Sequence, residues 1–214
     1  MFRISRFTPK SSIFVLVTPL FVDIHTHKPQ GDWIGIRTEG VHPWQAGACA
    51  PETLQRPAPG VEAVGEIGLD FACATPREAQ LSCFRRQLEL AREAGLPVVL
   101  HCVRAFEEVM RCLAACPPRT AIFHGFVGSP EQAARALAAG CYLSFGERTF
   151  RSPRTLEALR ATPLERLFTE TDTSAEPIER ITARIAEARG VAVERLRQAT
   201  AENYQRIFGD GQLA

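Results

Sequence analysis

A chain of 214 residues, 45% hydrophobic and 23% charged, has an ordinary globular composition and is long enough to bury a sizeable core. Its formal net charge of +1 excludes a global basic field that would advertise nucleic acid, while leaving room for a local phosphate pocket. Seven cysteines without a CxxC or paired spacing argue against a disulfide framework and for reduced thiols in a cytoplasmic protein.

Residues 1–20 carry Arg3, Arg6 and Lys10 ahead of an apolar run, a loose likeness to a signal peptide. The run is too short to cross a bilayer, shows no A-x-A site and flows straight into the next segment. It reads as an extension that need not belong to the native protein, ahead of a single domain over 21–210. FVDIHTH (21–27) then begins as a β-forming run and ends in two histidines one residue apart. Side chains alternate faces in a strand, so His25 and His27 point the same way at the end of a buried strand. WIGIR (33–37) and GVHP (40–43) are weaker strand candidates.

The segment between HTH and GVHP is too short for a full βαβ unit, because the parallel crossover by itself needs a dozen or more residues, usually with a helix. At least one early helix is therefore missing, and the open flank calls for cover by residues 1–20 or by a partner subunit. AVGEI (63–67) is the next strand, leading to Glu66 and Asp70 in VGEIGLD. Thr75-Pro76-Arg77-Glu78 reads as a capping box with Thr75 as N-cap and Pro76 at the first helical position. Leu81, Phe84, Leu88 and Ala91 recur at helical spacing until Gly95.

PVVLH (97–101), TAIFH (120–124), CYLSF (141–145) and RLFTE (166–170) are further strands. Helices begin at Ser129-Pro130 and Ser152-Pro153. Two more close the chain, over 177–189 and over 192–208 with Leu196, Ala199, Tyr204 and Ile207 inward.

Alternating strands and helices imply a parallel α/β sheet. Histidines and carboxylates near the C-terminal ends of several strands favour a TIM-type (β/α) barrel, shortened or distorted near the first strands, since those ends converge on one face. No GxGxxG follows a strand and no P-loop is present. All five histidines, His25, His27, His42, His101 and His124, fall at or just beyond strand ends, and Glu66, Asp70, Glu170 and Asp172 occupy matching places. Imidazole with carboxylate suits zinc, manganese or iron better than calcium. HxH with a late aspartate can hold one ion, and Glu66 with His101 and His124 a second, with a carboxylate between the two.

FVDIHTH, GVHPW, AVGEIGLDF, PVVLHCVRA, FHGFVGS, YLSFG, FTETD and AENYQRIF resemble, in that order, the TatD family of metal-dependent hydrolases over about residues 21 to 208. The short spacing between HTH and GVHP is similar to a short subgroup. The resemblance implies an amidohydrolase-like barrel, one or two divalent ions (Mg, Mn or Zn) and phosphodiester hydrolysis, often as a DNase working from DNA ends. It makes His25 and His27 the first metal pair, Glu66 the bridging carboxylate, and His101 and His124 ligands of the second ion. Asp172 becomes the last-strand aspartate that ligates metal and takes the proton from attacking water.

Arg104 is expected to contact phosphate and His42 to contact substrate. Glu170 orients a ligand or forms an ordinary salt bridge, and Asp70 closes a turn or holds a histidine. FHGFVGS departs from the usual HCFSG, and Lys28-Pro29 from Leu-Asp, which bears on substrate contacts. The leading expectation is a deoxyribonuclease acting on single-stranded ends, with Arg104, Arg148 and Arg151 for phosphate and Trp33, Trp44, Phe126 and Phe150 as candidate stacking platforms. A small-molecule amidohydrolase or esterase is the second reading, and a metal-binding accessory protein with little turnover the third. No membrane partner is expected, and the sequence sets no oligomeric state.

Overall fold

The computed structural model describes residues 21–28 and 33–209. Residues 1–20, and with them the expected extension and its role as cover, lie outside the described residues. Among the described residues eight strands, all parallel, form two ladders. β1 (Phe21–Val22) pairs with β2 (Trp33–Ile34). β3 (Thr38–Glu39), β4 (Ala63–Asp70), β5 (Val98–Val103), β6 (Ala121–Phe123), β7 (Tyr142–Phe145) and β8 (Leu167–Thr169) pair in that order.

Beyond β1 the chain joins β8. Ile24 N donates to the Thr169 carbonyl (3.1 Å), Asp172 N to His25 O (2.9 Å) and His27 N to Asp172 O (3.1 Å). The remaining gap in the ring is closed covalently. Residues 33–39 pair with β1 at one end and with β4 at the other, where Glu62 N donates to Arg37 O (2.9 Å). A TIM-type barrel thus persists with a thinned wall. Among the described residues no helix separates β1, β2 and β3, and the first α-helix, α1 (Arg77–Ala94), follows β4.

After α1 the helices are α2 (Phe106–Ala115), α3 (Pro130–Ala138), α4 (Pro153–Ala161), α5 (Ile178–Arg189) and α6 (Val193–Phe208). Strand alternation separates two cores. Leu100, Phe123, Leu143 and Leu167 belong to the larger apolar cluster, which also takes in Phe84, Leu88, Ile181 and Leu196 of α1, α5 and α6. Ile122, Tyr142 and Phe168 join Val22, Ile24 and Ile207 in a second cluster. Each of those three sits two residues before His124, Ser144 or Glu170, so this cluster is the layer beneath the polar end of the barrel.

The expected cap of the first helix is not formed. α1 starts at Arg77 with Pro76 in the capping position, because the Thr75 hydroxyl donates instead to the Trp44 carbonyl (2.9 Å). That bond ties the helix start to the loop after β3. Gly95 stops α1 in the left-handed region (φ 67°), Ser129 forms a capping box with Gln132, and Ser152 accepts from Thr155 N. Among the described residues no helix is long and apolar enough to cross a membrane.

Asn203 of α6 is fully buried under β8, which leads to Glu170 and Asp172. Its amide donates to the carbonyls of Leu164 (2.8 Å) and Leu167 (2.9 Å) and accepts from Arg206 (2.7 Å). Asn203→Ala removes all three of these bonds from the interior beneath β8. It is expected to cost roughly 2–4 kcal/mol, read as a lower urea midpoint at unchanged m-value. An unchanged midpoint would show that α6 does not hold β8 in this way.

Candidate metal centre

Glu66 sits where the register between β4 and β5 shifts, between Val64 and Ile67, an irregularity of the kind that re-aims a side chain. Gly68 permits the close approach of these strands. Its φ is +138°, and a Cβ there would lie 2.0 Å from the His101 carbonyl oxygen.

All five imidazoles converge on the Glu66 carboxylate. Oε1 lies 2.7 Å from His101 Nδ1, 2.5 Å from His124 Nε2 and 3.4 Å from His42 Nε2. Oε2 lies 3.3 Å from His25 Nε2 and 3.7 Å from His27 Nε2. His27 Nε2 is also 3.6 Å from Asp172 Oδ1. The rings of His25 and His27 are 5.0 Å apart, on one side as their spacing requires, but His25 is buried and His27 half open.

Four sets of donors have their ligand atoms within 4.8 Å of one another: His25–Glu66–His124, His25–His27–Asp172, His42–Glu66–His101 and His124–Glu170–Asp172. The residues expected to hold metal are therefore brought together. His42, expected to contact substrate, lies within the ligand cluster itself.

A second layer orients the imidazoles. Glu170, 1% exposed, stands 3.5 Å from His124 Nδ1. Asp70 does both things expected of it. Oδ1 accepts from Ala72 N (2.9 Å), closing the turn, and Oδ2 lies 3.3 Å from His101 Nε2 while accepting from Trp44 Nε1 (2.7 Å). His42 Nδ1 accepts from Trp44 N (3.2 Å).

Sequence reasoning missed three supporting residues. Asp23 accepts from Thr171 N (2.9 Å) and its hydroxyl (2.7 Å), tying the segment before HTH to the one before Asp172. Gln87 clasps Val41 through both backbone groups (2.6 and 3.0 Å), and Gln80 clasps Asp70 likewise (2.7 and 2.9 Å). The available signal was a polar residue where periodicity demanded an apolar one: Asp23 inside FVDI, and Gln80 and Gln87 on the inward face of α1.

The charges are strongly coupled. Burial alone would raise the Glu66 carboxyl, but the imidazoles of His101, His124, His25 and His42 around it outweigh that and hold it well below the usual carboxylate range. Burial lowers the His124 imidazolium, yet Glu170 and Glu66 override it and raise the group to about 10. Burial likewise opposes ionisation of Glu170, and His124 reverses the balance, lowering its pKa. Asp23 is raised to about 6 by burial, against the hydrogen bonds from Thr171. Buried anions of this kind require compensating positive charge.

His25 Nε2, His124 Nδ1 and Glu170 Oε2 are buried polar atoms that make no hydrogen bond. Unspent imidazole and carboxylate donors grouped around one carboxylate fit a divalent ion.

The centre opens into a cleft of about 1030 Å³ lined by Trp33, Trp44 and Arg148 besides the ligand cluster. Arg148 Nη2 is 3.8 Å from Asp172 Oδ2. Arg104 does not line this cleft. It is exposed on the rim of a neighbouring cavity with its backbone at φ 51°. Phe126 is buried among Phe123 and Phe145, and Phe150 packs on the main core beneath the Arg184 guanidinium (4.0 Å). Of the four expected platforms, Trp33 and Trp44 reach the cleft.

The family model described as TatD related DNase matches residues 33–209, leaving HTH just outside the matched span. A 3'-5' ssDNA/RNA exonuclease TatD of Enterobacter lignolyticus is 34% identical over 80% of this chain and 77% of its own length. An uncharacterized metal-dependent hydrolase, YabD of Bacillus subtilis, is 32% identical over 69% of this chain and 65% of its own. The crystal structure of YJJV, a TatD homologue from Escherichia coli, superposes with a TM-score of 0.71 at 27% identity, covering 83% of this chain and 77% of that one. With a parallel barrel, clustered metal-type donors and these likenesses in agreement, the chain belongs to the TatD-related DNase family of metal-dependent hydrolases, which act on phosphodiester bonds.

Proposed function

We propose that this protein is a metal-dependent nuclease that trims single-stranded nucleic acid from its ends. The observation that carries the reading is the convergence of five imidazoles on Glu66 at the base of a wide cleft walled by tryptophan and arginine. A cleft of about 1030 Å³ suits a polymer segment better than a closed small-molecule pocket. The Enterobacter relative, described as a ssDNA/RNA exonuclease, supports the substrate class.

One or two divalent ions, of the magnesium, manganese or zinc type, would be held by His25, His27 and Asp172 and by Glu66 with His101 and His124. His42 stands close enough to complete the second set. Bound there, such ions polarise a phosphoryl oxygen and lower the pKa of water. The chain's own residues do the rest. Glu66 faces both ligand sets with one oxygen each. Asp172, at the cleft wall beside His27, is placed to accept the proton of an attacking water. Asp70 and Glu170 fix the ring orientations of His101 and His124. Arg148 offers the substrate phosphate a guanidinium while facing Asp172. Seven free cysteines fit a reducing, cytoplasmic setting.

Metal-stripped protein is expected to leave a labelled single-stranded oligonucleotide intact and to degrade it once Mg²⁺, Mn²⁺ or Zn²⁺ is added back. Glu66→Gln should lower the restored rate by more than about 100-fold. Bound metal without cleavage would sink the nuclease reading and turn attention to small diesters. Arg148→Ala should weaken oligonucleotide affinity and make the log K against log salt slope shallower by about 1. An unchanged slope would remove Arg148 from the phosphate path.

A further inference from the structure

Trp44 is the most exposed large apolar side chain among the described residues, at 63%. A single exposed aromatic needs no explanation by itself. The way this indole is held, and where it stands, do.

Its orientation is fixed. Trp44 lies in a short 3-10 helix, Pro43–Ala48, that starts directly after His42. The indole N–H donates to Asp70 Oδ2 (2.7 Å) and the backbone N–H to His42 Nδ1 (3.2 Å), while the Trp44 carbonyl accepts from the Thr75 hydroxyl (2.9 Å). The polar edge of the ring is satisfied and its apolar body stays in water. Holding Asp70 needs only an N–H, which a smaller donor would supply without an exposed ring. An indole fixed in advance loses little freedom on meeting a second flat ring.

Its place is the metal centre. The imidazoles of His42 (4.7 Å between centroids, 83°) and His101 (6.2 Å, 74°) meet the indole in T-shaped contacts. Both belong to one donor set with Glu66, and Asp70 Oδ2, which takes the indole N–H, is 3.3 Å from His101 Nε2. Trp44 lines the cleft that holds these donors, with Arg148 elsewhere on its wall. Trp33, also on the cleft, is half-buried in β2, and among the described residues no hydrogen bond fixes its indole.

Its surroundings are polar. Gln45, the next residue, is exposed and lines the same cleft, whereas the exposed Val127 lines a different cavity. A protein partner would need an extended apolar patch. One open, rigid ring beside a phosphodiester-cleaving centre fits one flat ring of the substrate, a nucleobase.

We propose that Trp44 is the stacking platform for the base of the nucleotide next to the scissile phosphate, and that its bonds to Asp70 and His42 keep the stacked nucleotide in register with the His42–Glu66–His101 donors. This rests on the nuclease reading above and names the residue that selects base-bearing strands. Stacking uses the π-face, so it tolerates any base.

Trp33 and Trp44 are the two tryptophans of the chain, so Trp33→Phe leaves Trp44 as the sole indole emitter. This variant is titrated, in chelator so that nothing is cut, with a single-stranded thymidine oligonucleotide and with an abasic strand of equal length. Indole emission is expected to fall with the base-bearing strand and to stay level with the abasic one. Wild-type protein should bind the base-bearing strand about tenfold more tightly. Trp44→Ala, at an exposed position, should bring that ratio towards one, and Trp44→Phe, which keeps a ring, should retain most of it. In turnover by metal-loaded protein, Trp44→Ala should raise KM about tenfold. Trp44→Phe, which lacks the N–H for Asp70, should lower kcat about tenfold with KM little changed.

Emission that holds steady, or falls equally with the abasic strand, would overturn the platform. So would a wild-type ratio near one, or a ratio that survives Trp44→Ala. A wild-type kcat in Trp44→Phe would overturn the role of the Asp70 bond. The two readings separate cleanly. Base-dependent quenching without metal-restored cleavage would keep the platform and sink the nuclease. Cleavage without base-dependent quenching would do the reverse.

Discussion

A carboxylate buried among five imidazoles is the constraint around which the rest is arranged. Glu66 is kept ionised only because histidines from five places in the chain reach its two oxygens. An uncompensated charge at that depth would cost several kcal/mol. The strand ends must therefore converge within a few ångströms or the charge cannot be sheltered. A parallel barrel meets that demand, since every strand ends on the same face and alternation leaves one inward residue per strand at the rim. Beneath the polar layer, Ile122, Tyr142 and Phe168 exclude water from below.

The thinned wall makes the supporting layer more important. The loop carrying His42 has no preceding helix among the described residues to brace it. It is instead gripped by α1 and by the segment leading into it: Gln87 of α1 on Val41, the Thr75 hydroxyl before the helix on Trp44, and Asp70 at the end of β4 on the Trp44 indole. Asp70 links this loop to His101, so the His42 and His101 pair is set by one hydrogen-bonded chain. The HTH side has a separate brace, Asp23 to Thr171 and Thr171 to Thr26 (2.8 Å), which ties β1 to the approach to Asp172. Each pair of metal-type donors thus has its own polar support.

Most of the site was legible because its logic is periodic. FVDIHTH places two histidines on one face by a spacing of two, and the other strand-end residues follow the same rule. Strand and helix existence followed from apolar runs and from Gly95, Ser129 and Ser152. What stayed hidden depends on contacts distant in sequence. Thr75 looked like a helix cap because nothing local shows that its hydroxyl is claimed by Trp44, 31 residues earlier. The nearness of His42, expected as a substrate contact, to Glu66 (3.4 Å) depends on how the shortened early segment folds back. Arg104, expected to contact phosphate, stands on the rim of the neighbouring cavity, a placement set by the fold and not by local spacing. Asp23, Gln80 and Gln87 passed unremarked because each serves a backbone partner that only the fold supplies.

The barrel is asymmetric in how it is held. From β3 to β8 the ring is a continuous hydrogen-bonded ladder packed under helices. Between β1 and β4 a single extended segment spans the opening, paired to each neighbour over two residues. Local stability follows ladder bonds and buried apolar contacts, so this wall is the least reinforced part of the ring. The cleft runs along it, past Trp33, Ile36 and Arg37 to Glu62, which receives Arg37 N (2.8 Å) and the Tyr204 hydroxyl (3.3 Å). His42 is carried on the chain that continues directly from this wall, whereas His101 and His124 rise from the braced side. The donor set around Glu66 therefore joins a rigid half to a lightly held one, and the two polar braces keep the lighter half in register.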